Sequence, residues 1–174
     1  MDSQAGTKAK EIVNGYDVGE LRGYVEKVNR DPSVAERNPV LTAHWVGESR
    51  ARVEFKNSVM HVGGEGEPSA MSALLASLAA CDVEVISTHA ALLGIQLESL
   101  SIEARGHFNV QAFLGVEGAP GSGYDQISYT IKIRAPAATP EQLAYLRERC
   151  ERSSPVGDSL GRPIPLKLEL VTEP

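Results

Sequence analysis

Two cysteines, Cys81 and Cys150, are the residues of this 174-residue chain best suited to covalent chemistry. A cysteine thiolate is a nucleophile, and oxidation of one thiol to a sulfenic acid lets a second thiol condense with it into a disulfide. Two cysteines are too few to build a disulfide scaffold. The pair therefore predicts either reactive thiols or two small apolar side chains in a core.

Both interpretations stay open for each cysteine. Cys81 has Ser77 and Glu84 as polar neighbours at helical spacing and no Lys, Arg or His close by along the chain. A positive group that favours its thiolate must then come from another segment. Cys150 follows Leu143 and Leu146 on an apolar stripe. Its functional interpretation is a resolving thiol, which requires the two Cα atoms to come within about 4.4–6.8 Å.

Other catalytic patterns are missing from the sequence. None of the four histidines stands at metal-ligand spacing from another His, Cys or carboxylate, so we expect structural or surface roles for His44, His61, His89 and His107. The glycine-rich segment 63–67 lacks the Gly-Lys-Ser/Thr ending of a phosphate cradle, and it has two glutamates. We therefore expect no metal and no bound cofactor.

Composition excludes several classes of partner. The chain has 17 Lys and Arg against 23 Asp and Glu, a net charge of −6, and only 5% aromatic residues. Such a chain should be repelled by nucleic acid and by anionic membrane surfaces. The polar N-terminus lacks the apolar core of a secretory signal, and the apolar run from Met71 to Ala80 is too short to span a bilayer. We expect a cytoplasmic protein without nucleic-acid or membrane partners.

The first half of the chain predicts a flexible tail over residues 1–15 and a single domain over 16–174. A helical pattern begins at Asp17, a plausible N-cap, and ends where Asp31 precedes Pro32. Alternation over residues 41–62, broken by two turn-like segments, predicts a three-stranded meander.

The second half centres on one long helix. Residues 69–93 are apolar nearly all round, with Pro68 suited to the first turn and Gly94 to the stop, which is typical of a helix buried in a core. Alternating strands follow near residues 100–108 and 127–133, then a helix with a capping box from Thr139, ended by Pro155. A last alternating strand is predicted from Ile164 to Leu170. This order indicates an α+β fold.

Two motifs carry a resemblance that covers roughly residues 14–171. The first is Gly-Gly-Glu-Gly-Glu-Pro-Ser at 63–69, followed by an apolar helix with Ala-Ala-Cys at 79–81; the second is Ser-Pro-Val-Gly-Asp-Ser-Leu at 154–160. In this order and spacing they resemble the OsmC/Ohr family. The stretch from Asn14 to Pro32 is similar to an N-terminal extension in one OsmC-like branch.

The resemblance implies an OsmC-like fold, with the long helix buried between antiparallel sheets of an intertwined homodimer. It also implies defence against peroxide stress by reduction of organic hydroperoxides. Cys81 matches the peroxidatic cysteine, which becomes a sulfenic acid; a second cysteine then forms a disulfide, which an external dithiol reductant reopens.

Two positions depart from the pattern of the peroxidase branches. Ser154 stands where they have the second cysteine, so Cys150, one helical turn earlier, is the candidate resolving thiol. Met71 replaces the glutamate that helps to hold a catalytic arginine, for which the candidates are Arg52 and Arg50 on a predicted strand. These departures support an alternative function, a non-catalytic protein that binds an apolar small molecule in a pocket at the dimer interface.

Overall fold

A computed structural model describes residues 10–172 of the chain. Within them the fold has four α-helices, one 3-10 turn and seven strands, all in antiparallel pairs. The first part contains β1 (Ile12–Val13), β2 (Tyr16–Asp17), α1 (Val18–Arg30), the 3-10 turn (Pro32–Ala35), β3 (Thr42–Trp45), β4 (Ala51–Glu54) and β5 (Val59–Val62). The second part contains α2 (Ala70–Leu92), β6 (Ser99–Phe108), β7 (Tyr124–Arg134), α3 (Pro140–Ser153) and α4 (Pro155–Gly161). The predicted α+β class is confirmed.

The N-terminal helix and the meander form as the local signals predict. The Asp17 side chain caps α1 by accepting from the backbone N–H of Glu20 at 3.0 Å. Strands β3, β4 and β5 pair in that order. One face of this sheet is apolar, with Val53 and Val62 buried, whereas Trp45 on the same face is 78% exposed. The sheet therefore leaves part of its apolar face uncovered.

Helix α2 is the longest element and holds Cys81 near its middle. The Ser69 hydroxyl caps it by accepting from the N–H of Ser72 at 3.0 Å, so Pro68 precedes the cap and does not begin the helix as we expected. Gly94, with φ +71°, follows the last turn as predicted. The buried residues of α2 are Leu78, Asp82, Ile86, Ala90 and Ala91. Burial is thus confined to one i, i+4 stripe, and the rest of the helix is partly or fully exposed in this chain.

The buried stripe of α2 faces α3 and β6. The core consists of Ile86, Ala90, Ile95, Leu146 and Cys150, with strand residues of β6 and β7 packed against it. Helix α3 has the predicted capping box, in which Thr139 and Gln142 bond reciprocally to each other's backbone N–H. By length and composition α2 could also cross a membrane. At 23 residues, α2 is longer than the apolar run Met71–Ala80. Core helices of water-soluble proteins meet the same criterion of length and composition.

Three further sequence expectations differ from the fold. Within the expected tail, Ile12–Val13 pairs with Tyr16–Asp17 around a turn at Asn14, and residues 1–9 lie outside the described residues. Asn14 holds this hairpin in place by donating to the carbonyl of Ile95 at 2.9 Å and accepting from the N–H of Leu97 at 2.8 Å. The division into a tail and a domain over 16–174 otherwise stays a prediction.

The C-terminal segment differs most. The strand predicted from Ile164 to Leu170 is wrong for this chain, because residues 163–172 pair with no strand of the described part. Leu166, Leu168 and Leu170 are 94%, 97% and 84% exposed. The third difference lies just before this segment, where Pro155 does not only end a helix but also begins α4, with Ser154 as its N-cap.

We predict that Leu146→Ala lowers the free energy of unfolding by about 2–5 kcal/mol, because Leu146 is fully buried between α3 and α2 and its truncation leaves a cavity. Leu143→Ala on the same helix is the control, since that side chain is partly exposed and its loss should cost roughly 1 kcal/mol. Urea denaturation at fixed protein concentration measures both. Equal losses would contradict the placement of the core.

Candidate functional site

Cys81 lies on the partly exposed side of α2, one position before Asp82 of the buried stripe. Its side chain is half-buried and opens onto a cleft of about 240 Å³. The cleft is lined by Cys81, Glu84, Val85, Thr88, His89, Ser153 and Pro155. The thiol is therefore reachable from solvent, which a core cysteine would not be.

Ser154 contacts the thiol directly. Its hydroxyl donates to Cys81 Sγ at 3.5 Å and accepts from the backbone N–H of Gly157 at 3.1 Å. The side chain is almost fully buried because it ends α3 and caps α4 at the point where both helices meet α2. A Cβ at position 157 would lie only 3.0 Å from Ser154 Oγ, so glycine there permits the close approach. The position at which the resemblance implies a second cysteine thus supplies a hydroxyl donor to Cys81.

Asp82, the next residue after Cys81, is completely buried, and neither of its carboxyl oxygens has a hydrogen-bond partner among residues 10–172. Burial raises the pKa of the Asp82 carboxyl above its ordinary value, and the nearby Ser154 hydroxyl only partly opposes this rise. A buried carboxylate without a cation is costly, so the neutral acid is the favoured form.

Cys150 lies on the other side of Asp82. Its Sγ is 3.8 Å from the backbone carbonyl of Asp82, and only 2% of the residue is exposed. Burial first, and then the negative charges of Asp82 and Cys81, raise the pKa of the Cys150 thiol to about 12. Cys150 is accordingly a protonated core thiol in this state, close to the site but without access to the cleft.

The cationic side chain of Arg149 contacts His89, which lines the cleft. Arg149 Nε donates to His89 Nε2 at 3.4 Å, and the hydroxyl of Tyr145 lies 3.5 Å from Nδ1 of the same ring. Burial and the charge of Arg149 lower the pKa of His89, so the imidazole is neutral. Eight positions after Cys81, His89 lines the same cleft even though it is too far along the helix to bond the thiol directly.

The arginines predicted from the sequence lie elsewhere in the chain. Arg52 is on the polar face of the meander, ion-paired with Glu54 and flanked in register by His44 and His61. Arg50 lies at a turn, with Nε 4.0 Å from a carboxyl oxygen of Glu48. Neither lines the Cys81 cleft, so a role for Arg52 there remains a prediction that would need a second chain.

Met71 lines a separate cavity at the N-terminal end of α2. The cavity has a volume of about 560 Å³ and is mainly apolar; besides serines and Gly63, it is lined by Val62, Ala70, Met71, Phe108, Val110 and Phe113. Its wall is fixed by Tyr124, whose hydroxyl donates to the Met71 carbonyl at 2.7 Å. The methionine in place of the expected glutamate therefore contributes apolar surface to a pocket of ligand size.

Several residues of the site were not predicted from the sequence. The spacing of four from Leu78 to Asp82 to Ile86 could have placed Asp82 on the buried stripe. No local pattern could have shown that Ser154 meets Cys81, since the two are 73 positions apart, or that Arg149 meets His89.

Comparison with known proteins agrees with this architecture. A family model described as OsmC-like protein matches residues 63–169. A comparison with curated protein sequences found no match. The solved structures below are all less than 25% identical to this chain, so their likeness shows the fold alone.

An OsmC-like protein from Mycoplasma pneumoniae is 16% identical, with a TM-score of 0.61 over 72% of this chain and 89% of that one. A putative osmotic stress induced and detoxification response protein from Psychrobacter arcticus is 14% identical, with a TM-score of 0.57 over 71% and 89%. An organic hydroperoxide resistance protein OsmC from Legionella pneumophila is 17% identical, with a TM-score of 0.50 over 71% and 89%.

We predict that Asp82→Asn makes the protein relatively more stable as the pH rises. The folded-state pKa of Asp82 is raised, so its contribution to stability is complete below the unfolded pKa and is lost as the pH rises through the folded pKa. An amide does not titrate, and the gap between variant and native protein should widen from about pH 4 upward. Urea midpoints across the pH range measure it, with Glu84→Gln on the exposed face as the control. Parallel curves for Asp82→Asn and native protein would contradict the burial of an unpaired acid.

Proposed function

This chain belongs to the OsmC-like family, and from that premise we propose that it reduces organic hydroperoxides with Cys81 as the peroxidatic nucleophile. The observation that supports the proposal is a thiol that opens onto a cleft and has a hydroxyl donor, Ser154, at 3.5 Å. Access admits the peroxide, and the Ser154 hydroxyl gives the sulfur a hydrogen-bond donor.

The first step is attack of the Cys81 thiolate on the peroxide O–O bond. An S–O bond forms as the O–O bond breaks, the alkoxide takes a proton and leaves as an alcohol, and Cys81 becomes a sulfenic acid. The apolar part of the cleft wall, Val85 and Pro155, suits the organic group of the substrate. The role of the protein in the cell would be defence against peroxide stress, in the cytoplasm.

The second step needs a resolving thiol, which is either Cys150 or an external thiol. Cys150 could attack the sulfenic acid, form a disulfide with Cys81 and release water, after which an external dithiol reduces the disulfide. Its Sγ lies 3.8 Å from the backbone of the residue next to Cys81, which supports this route. Its burial and its high pKa of about 12 oppose it and favour direct attack by the external thiol.

We also propose that the working unit is a homodimer. Two apolar surfaces lie open in the described part of the chain: the Trp45 side of the meander and the leucines of residues 163–172. Exposed apolar area of this extent is typical of a protein surface that is covered by a partner. A second copy would also bring further side chains, Arg52 among the candidates, toward the open side of the Cys81 cleft.

A second candidate function is supported by the cavity at Met71. Its apolar lining and volume of about 560 Å³ suit a small apolar ligand, and it has no cysteine in its wall. In that case the fold serves binding, and Cys81 takes no part in a reaction.

We predict that cumene hydroperoxide at modest molar excess removes the Cys81 thiol of the native protein within minutes. Thiol titration and mass spectrometry of the Cys81 peptide measure the loss, and Cys81→Ser should show none at Cys150, which is buried and protonated. A native protein that keeps its Cys81 thiol would reject the peroxidase and favour ligand binding.

Cys150→Ser separates the two resolving routes in the same assay. If Cys150 resolves, the native protein loses both thiols and the variant stops at a sulfenic acid that a dimedone probe traps. If the external thiol resolves, turnover with a dithiol is the same in both proteins.

We predict that the native protein sediments at about twice the chain mass of 18.6 kDa. Leu168→Gln should raise the dissociation constant at least tenfold, because burying one leucine contributes about 1.5–3 kcal/mol. Lys167→Gln, on the other side of the same extended segment, is the matched control. A single-chain mass for the native protein at micromolar concentration would contradict the dimer.

A further inference from the structure

The buried carboxyl of Asp82 is not used by the mechanism above. Asp82 has 0% exposure, and neither carboxyl oxygen has a hydrogen-bond partner in the part of the chain that the structure describes. A buried acid without a hydrogen-bond partner either destabilises the fold or is a hydrogen-bond donor whose acceptor is engaged only in another state of the protein. The Ser154 hydroxyl lies close enough to the carboxyl to lower its pKa, although no hydrogen bond joins the two groups in the described structure.

The bonding capacity of Ser154 shows how the two groups fit together. A hydroxyl has one proton to donate and two lone pairs that accept. In the structure the proton points to Cys81 Sγ at 3.5 Å, and one lone pair accepts from the N–H of Gly157 at 3.1 Å. One lone pair stays free. A protonated Asp82 has the O–H that this lone pair needs, whereas an ionised Asp82 could only compete with Cys81 for the single Ser154 proton.

We propose that Asp82, as a neutral carboxylic acid, donates to Ser154 Oγ and thereby holds the Ser154 hydroxyl as a donor to the Cys81 thiolate. Asp82 is then a positioning residue that acts through Ser154, and the Ser154 proton and both of its lone pairs have partners once the thiolate forms. Hydrogen bonds in such a chain polarise and strengthen one another. The inference rests on the proposed role of Cys81 as the nucleophile.

The neighbouring groups favour the neutral acid. Tyr129 of β7 lines the cavity beside this region, together with Cys150 and Glu151 of α3. Arg147 of α3 lines the same cavity, but neither it nor any other cation of the described residues is among the groups that influence the ionisation of Asp82. An ionised Asp82 would therefore repel the thiolate one position away on the same helix.

The relay is tested by the pH–rate curve for alkylation of Cys81 by iodoacetamide in the full-length protein. The extent of alkylation is measured from the mass of the peptide that contains Cys81. The plateau of the curve at high pH reports access to the thiol, and its midpoint reports ionisation. Asp82→Leu removes the donor and should move the midpoint upward by about one pH unit, which lowers the rate at pH 7 about tenfold. Asp82→Asn keeps an N–H donor and should leave the midpoint within about 0.3 unit.

Ser154→Ala gives an independent measurement. It should move the midpoint upward at least as far as Asp82→Leu, and adding Asp82→Leu to Ser154→Ala should produce no further change, because the acid acts through the hydroxyl. Asp82→Leu removes a buried unpaired acid, so the variant is expected to fold, and circular dichroism checks it.

Two results would overturn the relay. A midpoint that falls in both Asp82 variants would mean that the native carboxyl is ionised and repels the thiolate. A midpoint that does not move in Asp82→Leu, or additive shifts in the double variant, would mean that Asp82 does not act on Cys81 through Ser154. Alkylation involves no hydroperoxide, so a protein inert to peroxide that still shows the expected pattern fails only the proposed activity.

Discussion

Successive residues of an α-helix point about 100° apart, and this angle separates Cys81 from Asp82. The thiol faces an open cleft, and the carboxyl faces the interior between α2, α3 and β7. The rest of the site depends on this division, because a reactive sulfur must be reached from solvent while the groups that tune it work best away from water. Ser154 joins the two sides, since its hydroxyl touches the sulfur and lies beside the carboxyl.

The core that supports this arrangement is small. Only one stripe of α2 is buried, and it packs on α3 and the β6–β7 hairpin. Apolar area on the meander and on the C-terminal leucines is left open. A chain of this length normally buries enough apolar surface to be stable alone, so exposed apolar side chains of this extent support the proposed homodimer. In that proposed dimer, a second chain would add a wall to the Cys81 cleft.

Agreement between sequence and structure is best where a local interaction decides the outcome. The Asp17 cap, the capping box at Thr139 and the stop at Gly94 each act within a few residues, and all are found. The alternation of Ile164 to Leu170 is also a local signal, but a strand needs a partner to pair with, and none lies next to it in one chain. The alternation is present in the sequence, but it does not lead to a strand within the described part of the single chain.

By itself the sequence determined the α+β class, the bounds of most helices and strands, the family resemblance and the choice of Cys81, because caps, turns and periodicity are written in neighbouring residues. Only the tertiary structure decided that Asp82 is buried without a partner, that the Ser154 hydroxyl meets a sulfur 73 positions away, and that Arg149 reaches the cleft through His89. The physical reason is that burial and hydrogen bonding depend on which distant elements pack together. The angle at which α3 and α4 cross α2 sets these contacts, and no stretch of adjacent residues encodes that angle.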